Sequence, residues 1–597
     1  MKHQHQHEDH KRLVTFFVLA ALIMALSYFF ITKPQMDKMR QQQGVVTAEE
    51  KKKAPIAKII EQEKLLDVSE ALKLNNRVAI DAPELQGSVS TTGLRFDDIQ
   101  LKKYYTKLDQ KEQVRLLAPG NTKQGYFVEI GLMPDDASVA VPNQKTVWKK
   151  VSGDKLSVET PVVLEWDNGN GLTFRRTVTI DDHYLITVKQ QIVNAGSADV
   201  TLYPYALVSQ AHHIPQKGDP VNFEDQPSAV QHIGPIGYLN EDLHEEDYKD
   251  VKDDKKFEFN DVKGWLGITS KYWLVALLPD KDARFDARFT HQTGKLKQDI
   301  YQTDLREEPI TVAAGETGST EMRFFAGAKK LDVMNLYAEK LQVDQLDLAL
   351  DFGVLYFLTK PLYHLLSFLG NFFHTQFGAL VSFGLALLTL TVLLRAVTFP
   401  LQNKSYRSMN KMKDLAPKME ALKQKHGDDK QTFQREVFAL YKREKINPAS
   451  GCLPILVQIP IFFALYKVIY ITLDMRHAPF WGWIHDLSAP DPTNVFNLFG
   501  LLPYNTPLFL TIGAWPLLYG ITMFLQQRLN PQPDDPVQKQ VFAMMPWMFV
   551  FIFAKLPAGL VIYYTWSNLL GIVQQYTLRK IHPGTVPVKK PKAKKKK

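Results

Sequence analysis

Acidic residues are missing from every long apolar run of this 597-residue chain. A carboxylate-based proton or sodium relay therefore has no evident carrier inside a membrane. Cysteine is almost missing too. The single Cys452 excludes an intrachain disulfide and leaves no thiol cluster for a metal. Ala449-Ser450-Gly451-Cys452 has the outline of a lipoprotein cleavage box, but it lies far from any N-terminal leader, so Cys452 reads as a buried structural residue. The chain offers no Walker loop and no HExxH or Ser-His-Asp arrangement placed in a membrane. No catalytic residue, metal or cofactor is expected, and His3, His5, His7 and His10 read as a solvated tail.

What is present is strongly segregated. A mean hydropathy of −0.19 averages a polar middle with apolar ends. Residues 1–12 end in Lys11-Arg12, and 13–31 carries no charge and no small-residue cleavage site. This predicts an uncleaved signal anchor whose basic side stays in the cytoplasm, so that the following chain is exported. Residues 32–75, rich in Gln, Lys and Glu, read as a flexible linker.

From 76 to 350 the pattern changes to short alternating segments with turn residues between them. Leu172–Ile180 alternates apolar with polar, Asp181-Asp182 turns, and 184–193 returns as a partner strand. Segments 148–151, 162–166, 200–208 and 273–278 repeat the theme, which predicts an exported all-β sandwich ending in a helix. His212-His213 and the acidic run 242–254 are its best candidates for a site, and both read as solvated loops.

Residues 351–374 place Lys360, His364, Ser367, Asn371 and His374 on one helical stripe, so this segment is expected to lie along the membrane surface. Residues 377–399 then form an apolar run of about the 20 residues needed to cross a bilayer. Its only charge is Arg395, which would cost at least ~2.5–3.5 kcal/mol at the bilayer centre unless it faces a wet cavity, pairs or snorkels. Residues 400–446 hold twelve Lys or Arg against six Asp or Glu, which places them in the cytoplasm. Stripes through Met409, Met412, Leu415, Met419 and Leu422, and through Phe433, Val437, Leu440 and Tyr441, predict a helical hairpin there.

Further spans are expected at 451–473, 506–526, 541–556 and 559–578. An exported loop (474–505) bears Trp481 and Trp483, and a short cytoplasmic loop covers 527–540. Lys467 is placed to snorkel outward. The tail 579–597 has nine Lys or Arg and no acid, including Lys589, Lys590, Lys594 and Lys597. Six transmembrane helices with both ends cytoplasmic result. Thr391, Arg395, Gln458, Ser567 and Asn568, with Gln574 and Gln575 two turns on, are expected to line a polar pocket in the inner half of the membrane, with Glu444 as an acid partner for Arg395. A secondary transporter or channel would also account for six spans and a buried arginine, and an envelope sugar-binding protein for the β domain.

Leu394-Arg395-Ala396 ahead of Phe399-Pro400-Leu401, the run 447–454 (Asn-Pro-Ala-Ser-Gly-Cys-Leu-Pro) and the run 458–466 (Gln-Ile-Pro-Ile-Phe-Phe-Ala-Leu-Tyr) together resemble the YidC/Oxa family of membrane protein insertases. Leu556-Pro557-Ala558-Gly559-Leu560 with Tyr563-Tyr564 and Ser567-Asn568-Leu569 is similar to that family's last hairpin. The anchor and large exported domain resemble its Gram-negative members, in which that domain is a supersandwich. The resemblance implies a non-enzymatic inner-membrane insertase and chaperone. Its five-helix core would enclose a hydrophilic groove open to cytoplasm and lipid, with Arg395 as the groove arginine and Tyr563 among the groove residues. Implied partners are nascent inner-membrane proteins, the Sec translocon, and ribosomes or targeting factors. The last would meet the hairpin residues Met412, Met419, Lys423, Phe433 and Tyr441 and the basic tail, whose charge also suits anionic lipid.

Overall fold

In the computed structural model, the described residues are 65–212, 231–254, 256–294, 298–378, 381–426, 429–444, 453–502, 511–529 and 536–581. The expected anchor (13–31), most of the linker, His213, Cys452 and the tail lysines lie outside them.

Residues up to Ala328 build a nine-stranded, a six-stranded and a five-stranded sheet, nearly all antiparallel. The hairpin read from alternation is present: Leu172–Ile180 pairs with Leu185–Asn194, with Ile186 opposite Ile180. Thr317–Ala328 pairs with the far edge of Leu185–Asn194, in the centre of the largest sheet. Alternate residues Phe174, Val178, Ile186, Val188, Ile192, Phe324 and Ala326 are buried, as expected of sheet faces turned to a common core. The acidic run is not a loop: Asp242–Glu245 forms an edge strand and Tyr248–Asp254 a helix. Val251 is buried and the Tyr248 ring meets Tyr301 at a tilt, 4.6 Å between centroids, so apolar residues inside the run give it something to fold on.

Gly327 fixes one contact of this core. Tyr184, 1% exposed, lies over it, meets Phe325 edge-on at 5.6 Å and donates its main-chain N–H to the Tyr337 hydroxyl at 3.1 Å. A methyl on Gly327 would fall inside the Tyr184 ring. Gly327→Ala is expected to destabilise the β domain by about 1–3 kcal/mol, the usual cost of overpacking. Thermal unfolding of the full chain checks this; an unchanged midpoint would mean that the ring moves aside freely.

Helix α1 (Leu331–Leu341) closes the β domain and leads to α2 (Tyr356–Phe377). Pro361 does not break α2. Leu362, Leu366, Leu369 and Gly370 are buried, Gly370 lying against the Phe383 ring, whereas Tyr356, Phe357, Phe368 and Phe372 are exposed. The helix stops at Gly378, whose φ of +79° suits a residue without Cβ. Helix α3 (Ser382–Asp414) therefore starts later than the span expected at 377–399 and runs on through Pro400. Proline removes one main-chain donor, and the helix keeps its other bonds around it.

The hairpin follows as α4 (Ala416–His426) and α5 (Lys430–Arg443), with Asp429 capping α5 through Gln431 and Thr432. Helices α6 (Leu453–Ile471), α7 (Ala514–Leu529), α8 (Pro536–Phe553) and α9 (Ala558–Ile581) complete the bundle. Helix α7 begins at Ala514, later than the span expected at 506–526. Asp491 accepts from Trp515 N–H at 2.8 Å and Thr493 from Ala514 N–H at 2.9 Å, which sets its first turn from a distant loop. An aromatic cluster ties α6, α7, α8 and α9 together: Tyr519 stacks on Phe553 at 4.2 Å, and Phe462 meets Tyr564 at 5.0 Å. Among the described residues, one stretch, Ser382–Ser408, is long and apolar enough to cross a membrane by itself, and Val457–Ile471 and Lys539–Phe553 are shorter apolar helices.

Candidate functional site

Arg395 lies midway along α3, and its guanidinium reaches across to α9. Nε and one terminal nitrogen donate to the Ser567 hydroxyl at 3.1 and 2.9 Å, and that nitrogen also donates to the Ser567 carbonyl at 2.5 Å. The other terminal nitrogen donates to Gln402 Oε1 at 2.9 Å. Gln402 in turn donates to the Thr398 hydroxyl at 2.9 Å and is 6% exposed. Among the described residues every one of these partners is neutral, so the half-exposed cation is held by dipoles alone. Such a cation keeps its full charge available to anything entering the site.

Glu444 is not its partner. The fold of the hairpin brings Lys418 of α4 to the end of α5, and the Lys418 ammonium bonds Glu444 at 2.7 Å. That bond and charge hold the exposed Glu444 carboxyl below the usual range. The acid expected at Arg395 is thus taken by Lys418.

The other expected pocket residues divide. Ser567 bonds Arg395 directly. Tyr563, 2% exposed, lies one turn before it and interacts with both Arg395 and Gln458, which joins α6 to the site. Asn568 donates to the Thr522 hydroxyl on α7 at 3.3 Å. Thr391 is fully buried and bonds the Leu387 carbonyl of its own helix at 2.7 Å, which spends its hydroxyl inside α3.

Gln402, Gly571 and Gln526 belong to the site and were not expected there. Gln402 lies seven residues beyond Arg395, two turns along the same face, but ending the span at Phe399 hides that spacing. Gly571 is one turn beyond Ser567. A Cβ there would stand 2.9 Å from Gln526 Nε2 and 3.1 and 3.2 Å from the two terminal nitrogens of Arg395. Its bare backbone leaves room for the guanidinium beside the Ser567 carbonyl.

The hairpin residues are mostly its own core. Met412, Met419 and Tyr441 pack on buried Leu415 and Leu440, and the Tyr441 hydroxyl meets the Met419 sulfur at 3.4 Å. Phe433 is half-buried and Lys423 exposed. Lys467 does not snorkel: it is buried and bonds Asp351 at 2.7 Å, because the β domain covers that end of α6.

The periplasmic-domain family model of YidC matches residues 77–365, and the 60Kd inner membrane protein model matches 372–585. A "Membrane protein insertase YidC" from Brucella suis is 48% identical over 85% of this chain and 81% of its own length. One from Rickettsia massiliae is 44% identical over 95% and 99%. Among solved structures, an active YidC insertase aligns over 87% of this chain and 95% of its own, at 17% identity and a TM-score of 0.35.

Proposed function

The chain belongs to the YidC family of membrane protein insertases, and from that premise we propose that it inserts and folds inner-membrane proteins through the polar site around Arg395, without hydrolysing a nucleotide. A hydrophobic segment slides along α6 and α8 while its short polar flank occupies the groove. Wet, polar walls shorten the hydrocarbon path that the flank must cross, and each buried unpaired group spared saves several kcal/mol. The observation that carries this reading is the set of neutral partners around Arg395. A positive charge that meets no counter-ion among the described residues, held by Ser567 and Gln402, attracts acidic flanks and hydrogen-bonds passing backbone.

In this reading six helices span the membrane: 13–31, α3, α6, α7, α8 and α9. Both ends of the chain are cytoplasmic, and the β domain is a periplasmic supersandwich. Helix α2 lies on the outer surface with Phe357, Phe368 and Phe372 in the lipid, and Trp481 and Trp483 sit at the same interface. The basic hairpin and tail face ribosomes, targeting factors or anionic lipid, and the Sec translocon is a lateral partner. Since Met412, Met419 and Tyr441 hold the hairpin together, its contacts run through Lys423 and the exposed Phe438.

Proteoliposomes containing only this protein test the proposal. A single-span substrate with a short acidic flank is expected to become protease-protected without added nucleotide. No protection by well-folded protein would reject autonomous insertion.

A further inference from the structure

Among the described residues, Lys467 is the buried cation of the helical bundle that the groove does not use. Its ammonium bonds Asp351 Oδ2 at 2.7 Å, with the two side chains 11% and 14% exposed. The same carboxylate oxygen accepts the main-chain N–H of His232 at 2.8 Å. Asp351 thus touches a membrane helix and the β domain at once. Lys329, fully enclosed in the β domain and donating to the Thr269 hydroxyl at 2.9 Å, acts electrostatically on both Asp351 and Lys467.

Three further contacts ring this point. Lys271 lies over the Tyr470 ring at 4.1 Å, one turn beyond Lys467. Arg476 donates to the Tyr105 carbonyl at 2.7 Å and lies over Trp273 at 5.7 Å. Gly353, at φ +70°, lets the Lys467 stem pass 3.4 Å from where a Cβ would stand. The chain between the β domain and α2 also turns through left-handed residues at Gln345, Asp351 and Gly353, so it is a shaped connection and not an extended tether.

We propose that Asp351 is a pin that locks the β domain onto the outer end of α6, so that the β domain and the membrane helices move as one body. A buried carboxylate facing a buried ammonium can release only by exposing both charges, which makes the joint two-state and not slack. Because Asp351 stands five residues before α2, the pin also sets where that helix meets the bundle.

The test uses the full chain in lipid nanodiscs, with Cys452→Ser and spin labels at the exposed positions Glu159 and His485, one on the β domain and one on the bundle's outer loop. Pulsed electron spin resonance reads the width of the distance distribution between them. Asp351→Asn and Lys467→Met are each expected to widen it about twofold or more, and the double variant no further than either alone, as for one shared interaction. An unchanged width in both folded single variants overturns the proposal, and so does a double variant whose widening equals the sum of the two. If Asp351→Asn does not yield monodisperse protein, Lys467→Met decides the question alone: widening supports the pin and an unchanged width overturns it.

Discussion

Arg395→Ala is expected to lower insertion of an acidic-flanked single-span substrate at least about tenfold, a change of about 1.4 kcal/mol in the stabilisation of the inserting flank. Arg395→Lys is expected to keep insertion within about threefold of wild type, because the ammonium supplies charge but not the planar fork. The fork is occupied here: one edge holds Ser567 and the other Gln402. Lysine satisfies one of those partners at a time, which predicts a smaller, geometry-dependent loss on top of an intact electrostatic pull. Protease protection in proteoliposomes at low and high salt separates the two contributions. The charge contribution should weaken with salt in wild type and Arg395→Lys alike, and be missing in Arg395→Ala. Equal loss in the alanine and lysine variants would mean that the fork, and not the charge, does the recognising.

The legible parts of this protein were those governed by local periodicity. Leu172–Ile180 and Leu185–Asn194 alternate cleanly because one face of each meets the core, so strand and turn could be read directly. The hairpin stripes were legible for the same reason, although what they buried was each other. Residues whose roles depend on distant chain are not legible from local sequence. Glu444 lies close in sequence to the start of α6, but the hairpin delivers Lys418 to it first. Lys467 read as a snorkelling side chain because the carboxylate that meets it lies 116 residues earlier, in the link after the β domain. Gln402 is hidden in the sequence because proline disfavours a helix interior, yet here α3 tolerates Pro400 and carries Arg395 and Gln402 on one face. The start of α7 depends on Asp491 and Thr493, for which no local signal exists.

Gly571→Ala should separate stability from activity, and in opposite directions. Alanine is favoured over glycine inside a helix by about 0.8–1.0 kcal/mol, so α9 itself gains. The new methyl would stand 2.9 Å from Gln526 Nε2, closer than carbon tolerates, and 3.1 Å from an Arg395 nitrogen, a tight contact. Both are ends of flexible side chains, so they yield by a few tenths of an ångström and the fold survives. What yields, however, is the bond from Arg395 to the Ser567 carbonyl, since the methyl leans toward the preceding turn and over that oxygen. The variant is therefore expected to melt no lower than wild type while inserting about two- to threefold more slowly, and Gly571→Leu, which fills the space outright, to approach Arg395→Ala. Thermal unfolding and insertion measured on the same preparations check this. Gly571→Leu combined with Arg395→Ala should be no worse than Arg395→Ala alone, because the leucine acts by displacing a guanidinium that is no longer there. Additive losses would place Gly571 in a separate role, as a contact for the substrate segment itself.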